Sequence, residues 1–211
     1  RERSSEPYIG VEAGGLQSAE ALLLARYFMF SQVYFHPVRR IYDIHLKDFL
    51  TEWLEGGCYP IETKHFFEYT DAEIISAMRK ATRDDQHPGH IHAKRIVDRN
   101  HFRVLHEGLL SDIIASGGMM KGKVIAEAAA KQFGAELVRY DAYPPKHSRI
   151  DFPVLERDGT VVSSHAKSQA LSKIPGAAFD YIFVDKAILP EAAEWYKKNK
   201  DKLMAISESE E

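Results

Sequence analysis

The fold is decided by one stretch of sequence, SAEALLLARYFMFSQVYFHPVRR, which runs from Ser18 to Arg40. Its length predicts a helix of about six turns, and Ser18 is a residue type that often caps a helix N-terminus. Apolar side chains occupy nearly all sides of this helix, which predicts that it is buried on most of them. Arg26 interrupts the apolar surface and has no acidic residue three or four positions away. A buried Arg26 would therefore need a distant carboxylate or a phosphate as its partner.

Arg26 and Tyr34 are eight residues apart in the predicted helix. That spacing corresponds to a rise of about 12 Å and to an angle of about 80° around the helix axis. These dimensions suit a nucleoside triphosphate, with its phosphates at Arg26 and a flat ring at Tyr34. A core ion pair between Arg26 and a distant Asp or Glu is the alternative that the same pattern allows.

The run LLLARYFMFSQVYFH and the basic residues after it resemble a helix of the HD-domain deoxynucleoside triphosphate (dNTP) triphosphohydrolases, which include bacterial dGTPase-like enzymes and the SAM-and-HD-domain dNTPases. The resemblance implies that Arg26 contacts the substrate triphosphate and that Tyr34 packs on the sugar and base. It also implies that His36 belongs to an allosteric nucleotide site at a subunit junction. Pro37 stands where family members often have a lysine.

A second stretch, KRIVDRNHFRVLHE from Lys94 to Glu107, resembles the C-terminal regulatory region of the same family. This likeness implies that His90 and Lys94, one helical turn apart, contact the phosphates of a nucleotide effector. Lys146 falls near a further lysine of that kind, and Arg149 is a neighbour that could replace it. Arg39 is another candidate for the effector site, although Arg39 and Arg40 could equally form a solvated basic surface.

The composition predicts a folded protein with no membrane segment. Of the 211 residues, 45% are hydrophobic and 11% are aromatic, which is ample for a core. The net charge of −3 argues against a general nucleic-acid binder. Cys58 is the single cysteine, which excludes an internal disulfide and fits a reducing, cytoplasmic location. The opening residues contain no apolar signal region, and we expect the chain to be a fragment of a longer enzyme.

The pattern of elements predicts a mainly α first half, from 1 to 100, as the C-terminal part of an all-helical HD-type domain. A small α+β lobe with an antiparallel sheet, from 101 to 211, is predicted to follow. The predicted helices of the first half are 18–36, 37–55, 70–81 and 90–100. The predicted elements of the second half are strand 101–107, helix 119–134, strand 136–142, a hairpin of 152–157 and 160–165 around Asp158-Gly159, a short helix 167–172, strand 179–184 and helix 190–203.

Metal binding is predicted to lie outside this chain. HD enzymes act through a divalent ion held by histidines, an adjacent His-Asp pair and a further aspartate, and the sequence contains no His-Asp dipeptide. The resemblance therefore implies a divalent metal ion for the whole enzyme, but no metal ligand and no catalytic residue here. His87, His90 and His92 lack the cysteine partners of structural zinc sites and are expected to form a polar turn.

The preferred interpretation is the C-terminal portion of an HD-domain dNTP triphosphohydrolase, which splits a dNTP into a deoxynucleoside and triphosphate. This chain would supply substrate-pocket, effector-site and homo-oligomer interface residues, with a dimer or tetramer expected, and would be inactive alone. The alternative is a stand-alone regulatory or single-stranded nucleic-acid-binding module without catalysis. Aromatic residues beside basic ones, such as Tyr27, Tyr34, Arg39 and Arg40, would suit base stacking in that module.

Overall fold

The computed structural model of the chain describes residues 8–108, 110–115, 120–144, 151–174 and 176–206. A short strand β1 (Val11–Glu12) and a 3₁₀ turn lead into helix α1 (Leu16–Met29). Gly15 is the N-cap of α1, so the predicted cap at Ser18 is wrong and Ser18 lies within the first turn. The helix continues as a π-helical turn (Phe30–Tyr34) and ends before helix α2 (Pro37–Trp53).

The prediction that α1 is buried on most sides is wrong for this chain. No residue of α1 is buried, and Leu22 and Phe28 are 69% and 56% exposed. The exposure continues through the π turn, where Val33 is 44% exposed. An apolar pattern shows that a surface suits contact with other apolar groups, but it does not show which part of a protein provides that contact.

The remaining helices of the first half pack around α2. They are α3 (Thr63–Phe66), α4 (Asp71–Ala81) and α5 (His90–Val97). Phe49 of α2 is fully buried against small residues and a methionine of α4 and α5, namely Ala77, Met78, Ala81 and Ala93. Gly89 precedes α5 with φ of +77°, and a Cβ atom there would lie 2.6 Å from the Phe49 ring. Only glycine fits this position, because both the backbone angle and the ring exclude a side chain.

The second half contains a three-stranded antiparallel sheet with buried strand β6 at its centre. The order is β2-β6-β3, where β2 is Arg103–Glu107, β3 is Val138–Tyr143 and β6 is Phe179–Val184. All six residues of β6 are buried, as expected for a strand covered on both faces. The helices of this half are α6 (Leu110–Ala115), α7 (Gly122–Phe133), α8 (Ser164–Lys167), α9 (Gln169–Lys173) and α10 (Leu189–Ile206).

A second small sheet contains the predicted hairpin. Strands β4 (Pro153–Leu155) and β5 (Val161–Ser163) pair antiparallel, and Gly159 between them has φ of +84°. The hairpin signal at Asp158-Gly159 is therefore confirmed. β4 also pairs in parallel with β1, so it is the central strand of this sheet. Pro153 is tolerated because it is the first residue of the strand.

The predicted fold class is confirmed, since a mainly helical first half precedes a small α+β lobe with an antiparallel sheet. β1 is the exception in the first half, because it joins the sheet of β4 and β5. The division near residue 100 stays a prediction. One buried cluster of aliphatic and aromatic residues contains members from both the first and the second half of the chain. These members are Phe35, Ile41, Phe102, Phe179, Tyr181 and Phe183. No described helix has the length and apolar character needed to cross a membrane.

Candidate functional site

Four side chains form a continuous cation–aromatic strip from α1 to the start of α2. The Arg26 guanidinium lies 4.8 Å from the centre of the Phe30 ring, and the Phe30 and Tyr34 rings meet edge to face at 5.2 Å. The Arg39 guanidinium lies 5.8 Å from the centre of the Tyr34 ring. The π turn contributes to this arrangement, because both rings belong to it. The strip (Arg26, Phe30, Tyr34, Arg39) therefore has a guanidinium group at each end and two aromatic rings between them.

Arg26 is exposed, and no carboxylate of the described residues forms an ion pair with it. The predicted core ion pair with a distant Asp or Glu is therefore wrong in this chain. Within the described residues the guanidinium donates no hydrogen bond to a protein acceptor, and its central carbon lies over the Phe30 ring. Such a guanidinium can fork onto two oxygen atoms of a phosphate or carboxylate.

His36 and Arg39 lie where α1 gives way to α2. His36 is the N-cap of α2, and its Nδ1 atom accepts a hydrogen bond from the backbone N–H of Val38 at 3.3 Å. Arg39 donates to the Tyr34 carbonyl at 3.1 Å and forms an exposed ion pair with Asp43 at 3.4 Å. The sequence-predicted residues Tyr34, His36 and Arg39 are therefore brought together at one surface.

Arg40 has a different environment from its neighbour. Its Nε and Nη2 atoms donate to the two carboxylate oxygens of Asp141 on β3 at 2.7 and 3.1 Å, and its guanidinium lies 5.0 Å from the centre of the Phe179 ring. The hydrogen bond to Asp141 raises the pKa of Arg40. The expected solvated basic surface is therefore wrong for Arg40, which ties α2 to the main sheet.

His90 and Lys94 occupy one face of α5. The Nδ1 atom of His90 lies 2.7 Å from the Ala81 carbonyl oxygen and therefore donates to it, which fixes the start of α5 against the end of α4. Lys94 is exposed one turn further along. No hydrogen bond or ion pair connects this pair to the strip among the described residues. Lys146 and Arg149 lie outside the described residues.

The three histidines around α5 do not converge. His87 contacts the Pro88 carbonyl through Nδ1, and His90 contacts that of Ala81. His92 instead meets His45 and Asp48 of α2, and the potential metal-ligating atoms of these three residues lie within 4.8 Å of one another. The sequence analysis missed this group. The spacing of His45 and Asp48, three residues apart on one helix, is a local signal of two ligands on the same helix face. No local sequence pattern indicates that His92 joins them.

The described group does not match the ligand set of the HD metal site. That set requires an adjacent His-Asp pair, and this sequence has none.

The mainly helical region with a small antiparallel lobe is of the kind that accompanies HD domains. Residues 3–131 match the family described as the HD associated region, and the chain belongs to that family. A comparison with curated proteins gave no match.

Solved structures share the fold. A hypothetical protein from Aquifex aeolicus is 27% identical, with a TM-score of 0.70 over 88% of this chain and 46% of that one. A phosphohydrolase from Bacteroides thetaiotaomicron is 17% identical, with a TM-score of 0.55 over 84% of this chain and 52% of that one. The chain thus spans about half the length of both proteins.

Proposed function

We propose that this chain is the HD-associated region of a metal-dependent HD-type dNTP triphosphohydrolase. The whole enzyme would convert a dNTP into a deoxynucleoside and triphosphate, with its metal held by residues of an HD domain. This chain would contribute one wall of the substrate pocket, an interface of a homo-oligomer, and contacts to a nucleotide effector.

The cation–aromatic strip is the observation that carries the proposal. Arg26 presents a guanidinium that pairs with no carboxylate of the described part of the chain, and Tyr34 is 41% exposed. A triphosphate needs charge neutralisation with bidentate hydrogen bonds, which an arginine provides better than a lysine. A sugar and base need a flat apolar surface, which the Tyr34 ring provides.

The exposed apolar side chains around the strip support a pocket completed by another part of the protein. Leu22, Phe28 and Met29 are between 43% and 69% exposed, in addition to the exposed members of the strip. Contiguous apolar surfaces of this kind are typical of protein interfaces. Both solved structures with this fold contain about as much chain again beyond the part that matches. We assign the exposed face of α1 to contact with an HD domain.

A comparison of two proteins tests the proposal. The chain of 211 residues should show no dNTP hydrolysis with Mg²⁺, Mn²⁺, Ni²⁺ or Co²⁺, because it lacks the His-Asp pair. The same chain joined to its HD domain should hydrolyse at least one dNTP and release triphosphate. Turnover by the chain alone that follows the protein through purification, or no turnover by the joined protein with any dNTP, would refute the assignment.

The Arg26→Ala and Arg26→Lys variants of the joined protein test the role of the strip. A charge-assisted bidentate contact contributes about 1.5–3 kcal/mol, so Arg26→Ala should lower kcat/KM about 10- to 150-fold and Arg26→Lys should lower it less. Arg79→Ala is the matched control, because Arg79 lies on α4 outside the strip. Equal activity of all three variants, with circular dichroism unchanged, would exclude Arg26 from the substrate site. Retained binding of single-stranded oligonucleotides without hydrolysis would favour the stand-alone module instead.

A further inference from the structure

Helices α2 and α5 meet at a buried group of two histidines and one aspartate. His45 and Asp48 lie one turn apart on α2, and His92 faces them from α5. His45 is completely buried, while the side chains of His92 and Asp48 are 13% and 29% exposed. The two imidazole rings have their centres 6.0 Å apart.

Two nitrogen atoms in this group lack hydrogen-bond partners. The Nδ1 atoms of His45 and His92 are both buried, and neither forms a hydrogen bond in the described part of the chain. The nearest carboxylate oxygen, Oδ2 of Asp48, lies 3.7 Å from His92 Nδ1, which is too long for a hydrogen bond. Buried polar atoms normally have a partner, so an unoccupied pair of nitrogen atoms beside a carboxylate points to a ligand between them.

Surrounding groups orient the three side chains as they do in metal sites. The Nε2 atom of His92 lies 3.6 Å from Oε1 of Glu52, one turn beyond Asp48. This distance is longer than a hydrogen bond, but a small approach would give the pairing of a carboxylate with the far nitrogen of a ligand histidine that is common in metal sites. Arg139 of β3 lies 3.4 Å from Oδ2 of Asp48 and holds the carboxylate in place.

The charges around the group leave room for a cation. Two positive side chains, Arg95 and Arg139, lie near the group and disfavour a cation. Three negative side chains, Asp48, Glu52 and Asp185, lie near these arginines, so the net charge of the surroundings is −1.

We propose that His45, Asp48 and His92 bind a divalent transition metal ion of the zinc class and thereby join α2 to α5. Two imidazoles and a carboxylate suit Zn²⁺, Co²⁺ or Ni²⁺, whereas Mg²⁺ and Ca²⁺ prefer oxygen ligands alone. Ligand atoms of a tetrahedral zinc site lie about 3.3 Å apart, so atoms now up to 4.8 Å apart must approach one another by up to about 1.5 Å. His45 would bind through Nδ1, which requires its proton to lie on Nε2, and Nε2 would then give up the long contact of 3.5 Å that it accepts from the Phe102 N–H. Water completes the coordination.

This site is separate from the metal of the HD domain and does not depend on the proposed hydrolase function. It contains no His-Asp pair, and its three residues come from the helices that pack together within this chain. We assign it a structural task, because it fixes α5, which carries His90 and Lys94, against α2, which begins beside His36.

Titration of the untagged chain with Co²⁺, after removal of metals by a chelator, tests the proposal. One equivalent should produce the visible absorption bands of Co²⁺ bound to nitrogen and oxygen ligands, Zn²⁺ should abolish them, and the metal should raise the melting temperature. His92→Gln and Asp48→Asn should each weaken binding about 100-fold or more, because each removes a direct ligand. The matched control is His65→Gln, whose exposed histidine also lies near a carboxylate, Glu68 at 3.5 Å, and it should bind Co²⁺ as the parent protein does.

Two outcomes would overturn the site. One is the absence of saturable Co²⁺ binding in the parent protein, which would mean that a water molecule occupies the position. The other is binding that persists in His92→Gln or is lost in His65→Gln. If His92→Gln does not fold, Glu52→Gln decides the question, because Glu52 is exposed and its loss should weaken binding about 10-fold. Unchanged binding in Glu52→Gln would then refute the arrangement.

Discussion

The adjacent arginines of α2 should differ sharply in their contribution to stability. We expect Arg40→Met to lower the free energy of unfolding by about 3 kcal/mol and Arg39→Met to lower it by less than about 1 kcal/mol. The two substitutions are chemically identical and one residue apart on the same helix. Any difference between them must therefore come from the surroundings of the two guanidinium groups.

The magnitude follows from the contacts of Arg40. It makes two charge-assisted hydrogen bonds to Asp141, at 2.7 and 3.1 Å, and both side chains are largely buried, at 26% and 15% exposure. Removing one partner of a buried pair costs about 3–5 kcal/mol, and partial contact with water places this pair at the lower end. The pair of Arg39 and Asp43 is 47% and 40% exposed, which is typical of surface pairs that contribute about 0.2–1 kcal/mol.

Urea denaturation followed by circular dichroism measures both values, and a cycle with Asp141→Asn isolates the pair. We expect a coupling energy between Arg40 and Asp141 of about 1.5–3 kcal/mol. The variants should have the same dependence of unfolding free energy on urea, because the exposed surface on unfolding is unchanged. If Arg39→Met costs as much as Arg40→Met, or if the coupling energy is near zero, the link between α2 and the sheet contributes nothing to stability.

Four further results are expected. In the chain joined to its HD domain, Tyr34→Phe should retain most of the parent kcat/KM, and Tyr34→Ala should lower it about tenfold or more, since the ring supplies about 1.4 kcal/mol or more of contact. Equal kcat/KM values for the two variants would argue against packing of the base on Tyr34. Lys94→Ala should raise the effector concentration for half-activation about 10- to 150-fold, because it removes a contact that contributes about 1.5–3 kcal/mol. An unchanged activation curve would show that Lys94 does not contact the effector. Burial lowers the pKa of His106 from 6.5, so the unfolded chain binds a proton at this residue first. The contribution of His106 to the unfolding free energy should therefore fall as pH drops below about 6.5, by at most about 1.4 kcal/mol per pH unit. His106→Gln should reduce this slope in urea titrations at several pH values, and an identical slope would show that His106 does not titrate differently on folding. Gly89→Ala should lower the melting temperature by more than about 4 °C, because a left-handed backbone and a contact with the buried Phe49 ring together cost more than about 2 kcal/mol, and a smaller shift would show that the ring can move.

Local sequence patterns correctly predict several elements of the second half of the fold. Strand β6 has the predicted bounds, 179–184, because a short run of buried aromatic and β-branched residues is a local signal. The hairpin is correct for the same reason, since Asp158-Gly159 specifies a turn by its own backbone preference. The T-x-x-E pattern of Thr70 and Glu73 predicts a capping box at the start of α4, and this prediction is only half correct. Thr70 is the N-cap of α4, but its hydroxyl donates to Glu73 and accepts no backbone hydrogen bond.

Features that depend on distant residues were not predictable. Nothing near Arg40 in the sequence indicates Asp141, which is 101 residues away, so Arg39 and Arg40 looked equivalent. His45 and His92 meet only because α2 and α5 pack together. The exposure of α1 could not be read from its apolar residues, because composition does not show whether the covering surface lies in the same chain.

The roles proposed for the strip from the family resemblance also stay predictions. The structure shows where Arg26, Tyr34, His36 and Arg39 lie, but a position on a surface does not identify a ligand.

The π turn at Phe30–Tyr34 has a consequence for how this region tolerates changes in length. A π turn accommodates one residue more than the α-helical turn that it replaces, so the chain on its two sides keeps nearly the relative orientation of an uninterrupted α-helix. Deleting one residue between Phe30 and Tyr34 should therefore restore regular α-helical pairing and leave Arg26 on nearly the same side of the molecule. The extra residue thus changes the number of side chains in the turn rather than the direction of α1, and this region should tolerate the loss of one residue here better than elsewhere in the helix.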